Sequence, residues 1–336
     1  MRAVTVNYTA RRVEEAAVPA PVPGLPGEVL LRVVETGVCG TDRELAAFAF
    51  GAPPPGADYL ILGHEAVAEV AETGPGLQRF RKGDLVTPTI RRPCAAGCAT
   101  CRRNRADLCL TLQYRERGIT GLHGFFTEFA VEHQDNLVAV PPRLAGAAVL
   151  AEPLSVVEKA LDRALAVREE PPRTALVLGA GPVGLLTALA CRHRGITPSL
   201  HSLEPASHPR ARLAERCGAR YLERLEGVFD LVIEATGSAA AAFAGIGRLG
   251  PLGVCVVLGP GVGTGELSFL DFVVSNQSVV GCVNASPASF ARAVDDLGRF
   301  DPEVLARMIT RVPFGDYPAS FAPAAAESVK RVHVIH

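Results

Sequence analysis

The stretch "TALVLGAGPVGLLTALACRHRG", which begins at Thr174, constrains this chain most. A short apolar run leads into Gly179, Gly181 and Gly184 in G-x-G-x-x-G spacing, and a helix-forming run follows directly. That order of strand, glycine turn and helix is what a dinucleotide site needs. The first glycine makes the tight turn, the second lets a pyrophosphate approach the backbone, and the third lets helix and strand pack closely. Pro182 and Val183 complete the turn, so the phosphates lie at the positive end of a helix. Short buried-type strands "FDLVIEATG" and "GVCVV", with the helix-like "AAAAFAGIGRL" between them, continue the alternation. The region therefore reads as a doubly wound α/β sheet of Rossmann type.

The residues before it have a different character. "GEVLLRVVETGV" alternates like a half-buried strand, "GDLVTPTI" is another, and "GFFTEFAVEHQDNLVAVP" reads as two strands around a turn. Helical spacing begins with "SVVEKALDRALAV". The expected organisation is a β-rich domain over 1–155, a nucleotide-binding domain over 156–295, and a segment over 296–336 whose strand-like "SVKRVHVIH" returns to the first domain. A length of 336 residues suits two domains. The net charge of −1 argues against nucleic acid or an anionic membrane as partner. No apolar run is long enough to span a bilayer, and the N-terminus reads as a strand rather than a signal peptide, so a cytoplasmic location is expected.

In such a reduced compartment, nine cysteines favour metal ligation over disulfides. "PCAAGCATCRRNRADLC" gathers Cys94, Cys98, Cys101 and Cys109 into a lobe over about 91–112, which reads as a structural zinc site, with an iron–sulfur cluster as the alternative. Elsewhere "VCGTD" offers Cys39 and Thr41, "LGHEAV" offers His64 and Glu65 on a strand, and "LAEPLSV" offers Glu152. These are suitable ligands for a catalytic zinc, which keeps one position open for water or substrate. Each taken singly also suits a plain structural role, Cys39 as a small apolar filler and His64 as a core histidine. About twenty residues past the glycine turn, Glu204 is placed to accept from the adenosine ribose and to disfavour a 2′-phosphate, although Arg210 and Arg212 follow it. NAD is expected ahead of NADP.

Together "GVCGTD", "GHEAV", the four-cysteine lobe, "GAGPVGLL" and "EATG" resemble the zinc-containing medium-chain dehydrogenases over nearly the whole chain. The stretches "LGHEAVAEV", "PTIRRP", "RERGITGLHGFFTEF" and "LAEPLSVVEKAL" are most similar to the glucose 1-dehydrogenase branch. The resemblance implies a GroES-like catalytic domain, with Cys39 and His64 on the catalytic zinc and the carboxylates of Glu65 and Glu152 approaching it directly or through water. It implies that Thr41 hands the substrate proton outward, that Thr236 of "EATG" lies at the cofactor, and that Glu116 and Asn284 stand near the substrate. Departures are the three-residue gap in "CAAGC", expected to loosen the structural site, and Ile90 and Val156 where sugar dehydrogenases of this branch carry polar residues. The function implied is hydride transfer from a sugar, cyclitol or polyol hydroxyl to NAD(P) in a homodimer or homotetramer. A secondary-alcohol or amino-alcohol dehydrogenase and a non-catalytic nucleotide-binding relative are the rival readings.

Overall fold

The strand Glu28–Val38 is the spine of the first structural unit. From Glu28 to Glu35 its residues alternate between half-buried and buried, as a strand covered mainly on one face requires, and carry Val29, Leu31 and Val33 into the core, while the end from Thr36 to Val38 is buried throughout. In the computed structural model, which describes residues 1–75, 79–259, 261–322 and 328–336, this strand pairs antiparallel with Glu65–Thr73 and with Lys330–Val334, and also with Phe129–His133. The sheet runs in the order 137–139, 85–88, 65–73, 28–38, 330–334, 309–313. Phe125, Phe126, Leu60 and Leu62 fill the space beneath it. Register sets up the site. Gly37 faces Glu65 on one neighbour and Val38 faces Arg331 on the other, so the spine's C-terminal end lies between Glu65 and Lys330. A Cβ on Gly37 would stand 2.2 Å from Glu65 Oε2, so only glycine leaves that carboxylate its place.

The second unit is a six-stranded parallel sheet in the order 220–222, 197–201, 174–178, 229–234, 249–257, 278–281. Numbered along the chain, that order is 3-2-1-4-5-6 of the doubly wound fold, whose dinucleotide crevice opens where the winding reverses, between the first and fourth strands. The strand Thr174–Leu178 is buried along nearly its whole length, as a central parallel strand should be.

The first unit comprises 1–152, 284–299 and 308–336, and the second 153–283 and 300–307. The chain thus returns to the first unit at Asn284, three residues after the last strand of the parallel sheet, and not at 296. The helix Ala151–Leu165 begins four residues before the expected helical stretch. "GFFTEFAVEHQDNLVAVP" does form two strands around a turn, but they pair with different neighbours and not with each other. Among the described residues no helix is long and apolar enough to cross a membrane.

Candidate functional site

Cys39 is the residue at which the spine strand ends and the short helix Gly40–Ala46 begins. Its extended backbone at the N-cap lets Asp42, in the first turn, accept the Cys39 N–H through Oδ2 at 2.9 Å. The other oxygen of Asp42 lies 3.3 Å from His64 Nδ1, and His64 Nε2 lies 3.2 Å from Cys39 Sγ. One turn of helix therefore places the thiol and aims the imidazole. His64 is not inside a strand as expected. It sits in the link between Tyr59–Ile61 and Glu65–Thr73, which frees its ring to face Cys39. Burial works against a charged ring there, yet Asp42 and Cys39 hold the His64 pKa well above its ordinary value. Asp42, itself 1% exposed, is held below the usual carboxylate range despite burial, chiefly by His64.

Glu65 opens its strand beside His64, and both its oxygens lie 2.6 Å from Lys330 Nζ. Burial disfavours the Lys330 charge, but Glu65 outweighs it and raises the pKa. Glu152, in the first turn of Ala151–Leu165, is buried, and desolvation together with the nearby Glu65 charge lifts it to about 7. Thr41 is half-buried in the first turn of its helix, and its hydroxyl has no hydrogen-bond partner among the described residues.

Donor atoms of Cys39, His64 and Glu65 lie within 4.8 Å of one another. Ligand atoms on a tetrahedral zinc with bonds of about 2.0–2.3 Å stand roughly 3.5 Å apart, so the thiol and imidazole fit one ion with small adjustment. Asp42, 3.3 Å behind the ring, stands where a carboxylate could orient His64 as a metal ligand. Glu65 comes to that position with its charge matched by Lys330, and Glu152 lies outside the 4.8 Å group.

In the lobe, the sulfurs of Cys94, Cys98, Cys101 and Cys109 lie within 4.8 Å of one another. The extra residue of "CAAGC" does not spread them. Gly97 takes φ +55°, and its N–H bonds to Cys94 O at 3.0 Å, which absorbs the insertion into a turn. The Thr100 hydroxyl lies 3.3 Å from Cys98 Sγ and draws that thiol down to about 5, whereas burial pushes Cys101 up to about 12. Four cysteine sulfurs so close could all ionise only around a cation, and the donor set suits zinc.

The glycine turn is shaped to take a phosphate. Gly179 has φ +105°, and a Cβ on Gly184 would stand 1.9 Å from Gly179 O. A Cβ on Gly181 would meet nothing within 4 Å, which is room for a phosphate at the N-cap of the helix Pro182–His193. Pro182 and Val183 form the first turn of that helix. Thr236 follows the strand Phe229–Glu234 and packs beside Gly179, where a Cβ would come within 2.9 Å of its Cγ2. Glu204 lies three residues beyond the strand Thr197–His201, 3.5 Å from Arg210 Nη1. Burial raises its pKa, but the Ser202 hydroxyl and the Arg210 charge pull it below its ordinary value.

Glu116 and Asn284 meet directly, with Asn284 Nδ2 donating to Glu116 Oε1 at 3.1 Å. Arg91 donates to the same oxygen at 2.9 Å. Sequence reasoning missed Asp42, Lys330 and Arg91. Asp42 carried a signal in its place in the same turn as Cys39, and Lys330 in being one of three lysines in an arginine-rich chain. Arg91 had no signal beyond adjacency to Ile90.

Known proteins are similar to this chain over nearly its whole length. Residues 25–142 match the alcohol dehydrogenase GroES-like domain, and residues 145–334 match the glucose dehydrogenase C-terminus. A glucose 1-dehydrogenase of Thermoproteus tenax is 46% identical, with 93% of each chain covered. One from Methanocella arvoryzae is 41% identical over 87% of each. Among solved structures, the Haloferax mediterranei glucose dehydrogenase in complex with NADP, Zn and gluconolactone superposes with a TM-score of 0.91 at 31% identity, covering 100% of this chain and 99% of that one.

Proposed function

This chain belongs to the glucose dehydrogenase family of zinc-containing medium-chain dehydrogenases, and from that premise we propose that it oxidises the anomeric hydroxyl of an aldose, glucose foremost, to the lactone with NAD(P). It is a zinc-dependent sugar dehydrogenase by family, and glucose is our assignment. The observation that carries the reading is the approach of Cys39 Sγ to His64 Nε2 at 3.2 Å, with Glu65 in reach and Asp42 behind the imidazole.

Bound zinc supplies a Lewis acid for the substrate hydroxyl, and bound NAD(P) accepts the hydride. The residues do the rest. Cys39 and His64 are the zinc ligands. Asp42 keeps the proton on His64 Nδ1, so that Nε2 faces the metal. Lys330 balances the Glu65 charge, which limits the negative charge gathered at the ligands. Thr41 Oγ1 takes the substrate proton and passes it towards solvent. Glu152, buried near Glu65, is the further carboxylate that would approach the metal, directly or through water. Glu116 accepts from a ring hydroxyl, with Asn284 beside it. Gly179, Gly181, Pro182, Val183, Gly184 and Thr236 hold the dinucleotide. Glu204 takes the ribose hydroxyls and tilts the choice to NAD, while its neighbour Arg210 keeps NADP usable.

Cys94, Cys98, Cys101 and Cys109 hold a structural zinc, a thiolate set that fits a reducing cytoplasm. The second unit leaves Phe269, Leu270 and Val274 about 70% exposed beside the edge strand Ser278–Gly281. An exposed apolar helix face in a unit that also has a free sheet edge suits a second copy of the chain, and so a homodimer or a tetramer built from it. A screen of aldoses, polyols and cyclitols with NAD and NADP, read by nicotinamide absorbance, tests the substrate. Turnover of D-glucose above every polyol is expected. Turnover confined to simple secondary alcohols would refute the sugar assignment.

A further inference from the structure

We infer that Arg91 is a positioning residue that presents Glu116 to the sugar and ties that carboxylate to the cysteine lobe. The inference rests on the assignment of Glu116 to substrate made above. Arg91 and Glu116 face each other across the paired strands Arg91–Arg92 and Arg115–Arg117, and the whole lobe is the loop between those strands. The guanidinium has three partners at once. It donates to Glu116 Oε1 at 2.9 Å and to Asp107 O at 3.3 Å, and it lies 3.5 Å from the centre of the Tyr114 ring. Only a planar fork with several donors can do all three.

The consequence for Glu116 is specific. Oε1 is taken by Arg91 and by Asn284, whereas Oε2 has no hydrogen-bond partner among the described residues. The Glu116 side chain is only 11% exposed, so it is held by these contacts and not by solvent. One oxygen is anchored and the other left to accept a hydroxyl hydrogen. Arg91 also cancels the charge. The pair offers an acceptor without a net field, which suits a neutral polyhydroxyl compound and gives no advantage to the ammonium of an amino alcohol. The second contact leads into the lobe. Asp107 lies two residues before Cys109, in the turn Ala106–Leu108, so the packing of the thiolate cluster sets where the Asp107 carbonyl meets Arg91. A metal in the lobe then supports sugar recognition as well as stability.

The test uses Arg91→Lys, Arg91→Met, Glu116→Gln and Cys98→Ser, with KM and kcat for D-glucose, zinc per chain and thermal midpoint measured on each. Arg91→Met and Arg91→Lys are expected to raise KM about tenfold to a hundredfold, the scale of a lost charge-assisted hydrogen bond, with kcat falling much less and catalytic zinc retained. If Arg91→Met does not fold, Arg91→Lys carries the test, because it keeps the buried charge and loses only the fork. Cys98→Ser is expected to raise KM too, and the double variant with Arg91→Lys to give less than the product of the two single effects. An unchanged KM in a folded Arg91 variant, with Glu116→Gln raising KM, would overturn the inference and leave the assignment of Glu116 standing. Multiplicative effects in the double variant would overturn the link to the lobe. An unchanged KM in Glu116→Gln would remove the assignment of Glu116 itself, and the role of Arg91 with it.

Discussion

Lys330 Nζ lies 2.6 Å from each carboxylate oxygen of Glu65, and both side chains are 2% exposed. The two residues stand 265 positions apart in sequence and meet because the spine strand Glu28–Val38 pairs with the strands of both. A buried pair of this kind adds little net stability, but removing one partner strands a charge in a low dielectric. Lys330→Met should therefore cost about 3–5 kcal/mol of unfolding free energy and weaken zinc retention, with Lys330→Arg recovering part of both. Denaturant unfolding followed by metal analysis measures it. Wild-type stability in Lys330→Met would show that Glu65 has another partner or is protonated.

Glu132 makes a pH prediction. It is buried and accepts from Arg117 Nε at 2.9 Å, from Asn136 Nδ2 at 2.8 Å and from Arg92. Burial pushes its pKa up, but Arg117 and Arg92 outweigh it and hold it at about 2. The folded value lies below the unfolded value of about 4.3, so this stabilisation is fully present above that pH and is lost as pH falls towards 2. The loss should be roughly 3 kcal/mol. Glu132→Gln should be less stable at neutral pH and show a flatter stability curve between pH 5 and about 2, read by unfolding at a series of pH values. Equal slopes in the two proteins would contradict the assignment.

The proposed preference for NAD rests on Glu204. On that proposal its carboxylate, 3.5 Å from Arg210, opposes a 2′-phosphate while unmodified NAD gains an acceptor. Glu204→Ala should narrow the ratio of kcat/KM for NAD over NADP, by raising KM for NAD and lowering it for NADP. A wild-type enzyme that already favours NADP would reverse the role and point to Arg210.

What was legible in the sequence divides by range. The dinucleotide turn is a local pattern, so Gly179, Gly181 and Gly184 announced both the fold and its crevice. The cysteine lobe is local too, and its four sulfurs converge despite the three-residue gap. Cys39, His64 and Glu152 come from separate elements, and only their resemblance to a known ligand set joined them. Partners brought in by sheet register were not legible. Nothing near Lys330 in sequence points to Glu65, whereas Asn284 and Glu116, which meet through a loop and not through strand pairing, were joined only by the resemblance. The same reason explains the early return to the first unit at Asn284. Composition does not change there, and only tertiary pairing marks the boundary.

On the proposed proton path, substitutions at Thr41 separate chemistry from metal binding. Thr41→Val is nearly isosteric, so zinc content and NAD(P) binding should persist while kcat falls by about two to four orders of magnitude, the usual scale for a positioned proton-transfer group. Thr41→Ser should keep much of the rate. Near-wild-type turnover in Thr41→Val would remove the hydroxyl from the proton path.

The central claim is that Cys39 and His64 together hold a zinc on which sugar oxidation depends. Zinc per chain and D-glucose turnover, measured side by side on wild type and Cys39→Ser, test it directly. Two zinc ions per chain and full turnover are predicted for the wild type. One ion, held by the lobe, and no turnover are predicted for Cys39→Ser, because a hydroxyl is a far poorer zinc donor than a thiolate. Two ions per chain with undiminished turnover in Cys39→Ser would contradict the account.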